Sequence, residues 1–164
     1  MKQQTRYLIA LITLLAFGVR VYLLDSVPPG WSDDELSNVL VIAQKPLNGN
    51  FSVYYTDATG LEALYHALSA VPLVLFGYNS LGVRLLSAVL GTLTVPLTYV
   101  VARRLFQYVP VGLVAAAALA VSFWSLIYSR VNLRHISMPV LMLVAFFCFW
   151  GFLQARETGR ARLY

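Results

Sequence analysis

Four apolar runs, at about 7–24, 83–102, 111–128 and 136–153, are each long enough to cross a hydrocarbon layer. A bilayer core is about 30 Å thick, and a helix rises about 1.5 Å per residue. Lipid offers no partner to a backbone N–H or C=O, so runs of this kind satisfy themselves as helices. The predicted fold class is therefore all-α: a polytopic transmembrane helical protein with an outer-loop juxtamembrane helix pair. Composition agrees, since 59% of residues are hydrophobic and only 12% charged, where a soluble domain carries about a quarter. The first run follows Lys2 and Arg6, as a signal peptide would, but it is longer than a usual signal core and no small-x-small site follows. It reads as an uncleaved first span.

Residues 25–82 form the polar outer loop. Pro28-Pro29-Gly30 turns the chain away from the first span. Ser32 and Glu35 then have the spacing of a capping box. Leu36, Val39, Leu40 and Ala43 follow at i, i+3, i+4 and i+7, with Ser37, Asn38 and Gln44 off that stripe. An interfacial amphipathic helix over about 33–44 is predicted. Asn48-Gly49-Asn50 is a turn, and 51–55 is a short aromatic stretch at headgroup depth. A fifth apolar run, 61–76, is shorter and carries Glu62, His66 and Pro72.

Charge asymmetry bears on that fifth run. If it crosses, basic residues divide almost evenly between the two sides. If it is juxtamembrane, Lys2, Arg6, Arg103, Arg104, Arg156, Arg160 and Arg162 share one side, against Lys45, Arg84, Arg130 and Arg134 on the other. Seven against four obeys the positive-inside rule. Four spans with a cytoplasmic N-terminus are predicted, in the cell membrane. The outer face then holds Asp34, Glu35, Asp57, Glu62, His66, Arg84, Arg130 and Arg134 together. The formal charge of +5 reports orientation, and the scattered basic residues form no stripe, so no nucleic-acid partner is expected. The lone Cys148 excludes an internal disulfide or a cysteine metal cluster.

The chemistry-bearing residues each have a plain reading beside a functional one. Asp34 and Glu35 cap a helix, or act as a proton acceptor or metal-holding pair at the membrane boundary. Arg20, in the last turn of the first span, snorkels to the interface or pairs with the Asp34-Glu35 region. Arg84, Arg130 and Arg134 anchor helix ends, or hold a phosphate through paired donors. Gly-rich phosphate loops, zinc-type histidine spacing and Ser-His-Asp patterns are absent from the sequence.

The order of these features resembles the N-terminal third of a C-type, polyprenyl-phosphate-sugar-dependent glycosyltransferase, of the family containing protein O-mannosyltransferases and aminoarabinose transferases. The carrying stretches are Phe17-Gly18-Val19-Arg20, Pro29-Gly30-Trp31-Ser32-Asp33-Asp34-Glu35-Leu36 and Gly60-Leu61-Glu62-Ala63-Leu64-Tyr65. Leu75-Phe76-Gly77, the run from Val83-Arg84 to Val95-Pro96-Leu97, and Ser129-Arg130-Val131-Asn132-Leu133-Arg134 complete them.

Residues 1–164 then read as the N-terminal part of a transmembrane glycosyltransferase domain. The resemblance implies transfer of a sugar from a polyprenyl-phosphate donor to an acceptor hydroxyl at the outer face. It makes Asp34, with Glu35 beside it, the catalytic acidic position. Arg20, Glu62, Arg84, Arg130 and Arg134 are the implied substrate-binding residues, with Arg84 the leading candidate to stabilise the departing phosphate. Implied partners are membrane lipid, the lipid-phosphate sugar and a protein or glycolipid acceptor. Two departures stand out: Ala63 replaces a common proline, and no acid follows Arg134. No metal ligand is assigned and no cofactor is certain; the missing acid leaves a divalent metal open but unsupported. Such enzymes run to several hundred residues, which leaves open that the chain alone is inactive. The rival class is a non-enzymatic membrane protein, a transporter half or assembly scaffold. It predicts ionisable groups at the bilayer midplane, whereas here they gather at the ends of the spans.

Overall fold

The structure, a computed structural model, describes residues 3–56 and 61–157. Lys2, Asp57, Gly60, Arg160 and Arg162, all used in the sequence reading, lie outside the described residues. The chain is helical almost throughout. Three helices are long and apolar enough to cross a membrane: α1 (Gln3–Val21), a central helix (Ser80–Phe106) and the last one, counted with its leading 3-10 turn as Arg134–Arg156.

After α1 the chain loops through Pro28 and Gly30 into α2 (Asp33–Ser37), a π-helical turn (Asn38–Ile42) and α3 (Gln44–Leu47). The predicted helix over 33–44 is thus present in three short pieces. The capping box forms: Ser32 Oγ accepts from the Glu35 N–H at 3.3 Å, and Glu35 Oε2 accepts from the Ser32 N–H at 3.1 Å. The stripe expected to be apolar is displaced, however. Val39 and Ala43 are buried as predicted, but Asn38 and Ile42 join them while Leu36 and Leu40 face outward. The π turn adds a residue to its loop and rotates everything beyond it against α-helical spacing.

A two-residue ribbon follows, β1 (Tyr54–Tyr55) antiparallel to β2 (Leu61–Glu62), with Tyr54 opposite Glu62. Periodicity over two residues carries no signal, so the ribbon was not predicted. It sets the start of α4 (Ala63–Phe76). At about 1.5 Å per residue the 14 residues of α4 reach about 21 Å, short of the ~30 Å core. One side of α4 exposes Leu64, Leu68, Val71 and Leu75, and the other buries Tyr65, His66, Ser69, Ala70 and Leu73. Ala70 and Leu73 pack with Val39, Ala43, Val83 and Trp31. Ile42, Tyr55, Leu61 and Ala63 make a second cluster under the ribbon. Each large apolar side chain so buried contributes about 1.5–3 kcal/mol.

The axis of the molecule is α5 (Ser80–Phe106), which packs against α1, α4, the following helix and the last helix. Its N-cap is Asn79, whose Oδ1 accepts from the Gly82 N–H at 2.9 Å. The residues α5 buries are mostly small: Gly82, Ser87, Ala88, Gly91, Thr92 and Thr94. Small side chains let helices approach closely where lipid supplies no hydrophobic drive. The third apolar run is divided into α6 (Val109–Val121) and α7 (Phe123–Tyr128). The break is at Ser122, whose extended backbone (φ −62°, ψ 127°) serves as cap to both. A short connection with a 3-10 turn (Arg134–Ile136) leads into α8 (Ser137–Glu157). The bundle core is Ala16 of α1, Val95 and Tyr99 of α5, and Ala116 and Ala120 of α6. Outside it, α1 and α8 expose long apolar side chains such as Leu11, Leu14, Leu141 and Met142, as surfaces turned to lipid do.

Candidate functional site

The loop after α1, the start of α5, the start of α4 and the connection before α8 meet at one end of the bundle. Glu35 is their junction. Its side chain is 1% exposed and lies 2.8 Å, through Oε1, from Arg84 Nε. Arg84 Nη2 donates to Oε2 at 3.0 Å, completing a two-pronged contact. Oε1 also accepts from the backbone N–H of Asn132 at 2.9 Å. Burial alone would raise the Glu35 carboxyl. The hydrogen bond from Arg84, those from the Asn132 and Ser32 backbones, and the Arg84 charge together hold it below the usual carboxylate range.

Arg84 is saturated. Besides Glu35, its Nη1 donates to the carbonyls of Leu24 (3.2 Å) and Pro28 (3.0 Å), and its Nη2 to that of Gly30. A guanidinium has five N–H donors, and all five are used. Gly30 supplies its carbonyl from a left-handed conformation, φ +69°, that a side chain would resist. No donor of Arg84 is left for a phosphate, so the expected direct role at the leaving group does not fit this geometry.

Arg130 is saturated as well. It donates to the carbonyls of Val27 (3.1 and 2.8 Å), Val19 (2.7 Å), Arg20 (3.2 Å) and Tyr22 (2.6 Å). These are the last carbonyls of α1 and its exit turn, which have no partner within the helix. A cation at a helix C-terminus also complements its dipole. Arg130 and Arg134 therefore do not act as a pair.

Arg20 is fully buried and meets neither carboxylate. It bonds Ser129 Oγ at 3.1 Å, Ser125 Oγ at 2.7 Å and the carbonyls of Ala16 (3.0 Å) and Ala120 (3.2 Å). Of its two sequence readings, pairing with the Asp34-Glu35 region is not what forms. Arg20 instead ties α1 to the α6–α7 break. Gly91 of α5 makes room for this, because a Cβ there would collide with Ser129 Oγ and crowd Arg20 Nε.

Asp34, the neighbour of Glu35, is different. Its side chain is exposed and makes no hydrogen bond or ion pair among the described residues. It lines a cavity of about 250 Å³ together with Ser37, Asn38, Leu61, Leu133, Arg134 and His135. Arg134 Nε stands 3.4 Å from Glu62 Oε1, with the arginine side chain 32% exposed and the glutamate 60%. So near water such a pair adds little stability, about 0–1 kcal/mol, and the guanidinium keeps donors for other partners. A second, larger and almost wholly apolar cavity, about 700 Å³, lies between α5, α7 and α8, with Trp124, Tyr128, Met138 and Phe146 among its walls. His135 lines both cavities.

Residues unassigned from the sequence complete the site. The Tyr65 hydroxyl lies 2.8 Å from Asn132 Oδ1 and 2.8 Å from Ser87 Oγ. Asn38 Nδ2 donates to the Asn132 carbonyl at 2.8 Å. Burial pushes the Tyr65 hydroxyl well above its usual value. His66 is fully buried, and neither ring nitrogen has a hydrogen-bond partner among the described residues. Burial, and then the Arg134 charge, push it down to about 4, against an opposing pull from Glu62. Polar residues inside apolar runs, Ser87 and His66, were the available signal for this layer. Among the described residues no group of three His, Cys, Asp or Glu side chains is placed to hold a metal ion.

Comparison with known proteins gives one match. A family model described as dolichyl-phosphate-mannose-protein mannosyltransferase matches residues 49–163, more than half of the chain. The matched stretch takes in Glu62, Arg84, Arg130, Asn132 and Arg134 and begins after Asp34 and Glu35. No curated protein and no solved structure matches the chain.

Proposed function

The chain belongs to the dolichyl-phosphate-mannose-protein mannosyltransferase family, membrane glycosyltransferases that use polyprenyl-phosphate sugar donors, and from that premise we propose that the cavity between Asp34 and Arg134 is the transfer site. The observation that carries this is the division of labour between two adjacent carboxylates. Glu35 is buried and spent on Arg84, whereas Asp34 has no partner among the described residues and lines a cavity that Arg134 also lines.

Asp34 accepts the proton of an acceptor hydroxyl as that oxygen attacks the anomeric carbon of the donor. The bond from that carbon to the phosphate oxygen breaks, and the phosphate leaves with the electron pair. The configuration at carbon inverts. Negative charge grows on the leaving oxygen, and Arg134, with donors unspent, stabilises it there. The role expected of Arg84 thus passes to Arg134. Arg84 and Glu35 hold the Asp34 segment in place. Glu62 orients Arg134, Arg130 fixes the exit of α1, and Arg20 braces α1 from within.

The site lies on the outer face, with the N-terminus cytoplasmic. Supporting this, Arg84 and the Asn132 N–H both bond Glu35, and Arg84 bonds the Leu24 carbonyl, so the end of α1, the start of α5 and the segment before α8 share one end of the bundle. Both ends of α4 are at that end too, through Glu62–Arg134 on one side and the short link to α5 on the other. Arg103 and Arg104, in the last turn of α5, are then on the opposite, basic side. Four crossings result: α1, α5, α6 with α7, and α8. The helix α4 lies along the interface on its Leu64, Leu68, Val71, Leu75 stripe.

The test is Asp34→Asn in the protein in its native membrane. Transfer of labelled mannose from a polyprenyl-phosphate donor to a hydroxyl-bearing acceptor is read out. A fall of about 10²–10⁴-fold is expected for loss of a general base. Undiminished transfer overturns the assignment.

A further inference from the structure

We propose that Tyr65 and Asn132 are positioning residues that set the distance between the Asp34 wall of the cavity and its Arg134 wall; the proposal rests on the transfer-site reading above. The two walls come from segments about a hundred residues apart, and nothing covalent fixes their spacing. Asn132 is the direct stitch between them. Its N–H donates to Glu35, the residue after Asp34, at 2.9 Å. Its carbonyl accepts from Asn38, another residue of the Asp34 wall, at 2.8 Å. Two residues further along the chain is Arg134. Any rotation of the Asn132 peptide therefore moves the cation relative to the base.

The Asn132 side chain is what resists that rotation. Its Oδ1 can only accept, so Tyr65 donates its proton there, and Ser87 must then donate to the Tyr65 oxygen. The result is a directed chain from Ser87 on α5, through Tyr65 on α4, to Asn132 in the connection before α8. Ser87 and Asn132 are fully buried and Tyr65 is 4% exposed, so no water competes for these bonds. None of the three lines the cavity, so each acts only through the residues that do.

Tyr65→Phe removes one proton donor and keeps the ring. In the full protein in its membrane, kcat is expected to fall tenfold or more, since misplacement by about 1 Å can cost about 10²-fold. KM for the lipid-phosphate donor is expected to stay within about twofold, and the thermal midpoint to identify a folded protein. Because the effect runs through the base, the same change in an Asp34→Asn background is expected to leave the residual rate unaltered. A folded Tyr65→Phe with wild-type kcat overturns the proposal. So does an equal loss in both backgrounds, which marks a role in folding alone. If Tyr65→Phe does not fold, Ser87→Ala takes its place, with a smaller loss of the same pattern expected and an unchanged kcat overturning it. Full transfer by Asp34→Asn alone removes the site reading itself, and this inference with it, whereas a dead Asp34→Asn beside an unaffected Tyr65→Phe removes only this inference.

Discussion

Glu35 and Arg84 form a pair at 2.8 Å in which each side chain is 1% exposed and each is fully hydrogen-bonded. Adjacent in sequence to Glu35, Asp34 is exposed and has no partner among the described residues. The two neighbours therefore answer to different experiments. Breaking a buried pair from one side strands the other charge and costs about 3–5 kcal/mol. Glu35→Ala and Arg84→Ala are each expected to lower the midpoint of thermal unfolding sharply in detergent. Arg84→Lys is expected to do the same, because one ammonium cannot reach three carbonyls and a carboxylate. Asp34→Asn, being exposed, is expected to leave stability within about 0.5 kcal/mol. Equal midpoints for Glu35→Ala and the wild type would contradict the structural role.

Arg130 and Arg134, four residues apart, are expected to separate in the same way. Arg130→Ala leaves the last carbonyls of α1 without donors and should destabilise the fold by about 1–3 kcal/mol. Arg134→Ala loses only a half-exposed pair and should be close to neutral for stability. In transfer, Arg134→Ala is expected to cost roughly 10²-fold in kcat, with partial recovery by Arg134→Lys. Loss of transfer in a fully stable Arg130→Ala, with Arg134→Ala active, would reverse the two assignments.

Acid should unfold the protein in a characteristic window. His66 ordinarily titrates at 6.5 but is held to about 4 by burial, so the unfolded chain takes up its proton first as pH falls. The stability it supports is whole above pH 6.5 and is lost progressively down to about 4. The Glu35 carboxyl, held low, keeps its contribution above the ordinary carboxylate value and loses it only as pH falls through its own lower one. Thermal midpoints should be flat above about pH 7 and decline below 6.5, with His66→Leu flattening the upper part of that decline. A midpoint rising between pH 6.5 and 5 would have the wrong sign for a buried neutral imidazole.

Membrane topology is accessible to cysteine labelling in intact cells, once the exposed Cys148 has been replaced. Gly82 and Asn132 are buried, so the informative probes are Asp33, Tyr78, His135 and Phe106, which are exposed. Asp33, Tyr78 and His135 are expected to react from outside, and Phe106 only after permeabilisation. Reaction of Tyr78 and Phe106 on swapped sides would mean that α4 crosses.

Much of the architecture is legible in the sequence because lipid imposes a length rule. The runs at 7–24, 83–102 and 136–153 appear as α1, α5 and α8 with ends moved by a few residues. The run at 111–128 is broken at Ser122, and no apolar count sees a break whose cause is an extended serine. The capping box at Ser32 was legible because its partners are three residues apart. The π turn was not, since it shifts phase without changing composition. At the candidate site, residue types singled out the charged groups but not the contacts that each makes. Arg20, Arg84, Arg130 and Arg134 are alike as letters. They differ in which partners the fold brings to each, hydroxyls and carbonyls for Arg20, a carboxylate and carbonyls for Arg84, carbonyls for Arg130 and an exposed carboxylate for Arg134, a long-range property. Asn132 and Tyr65 were invisible for the same reason, their bonds spanning 67 and 97 residues.

The reach of the Asn132 bond carries a consequence for how the protein is made. The chain emerges from its N-terminus at about 5–20 residues per second. Glu35 and Arg84 can meet as soon as α5 begins to enter the bilayer. The bond from Asn132 waits until the segment before α8 has been made, 97 residues after Glu35. In the site proposed above, the Asp34 wall of the cavity is therefore made long before the Arg134 wall, and the two can meet only once the segment before α8 has been delivered.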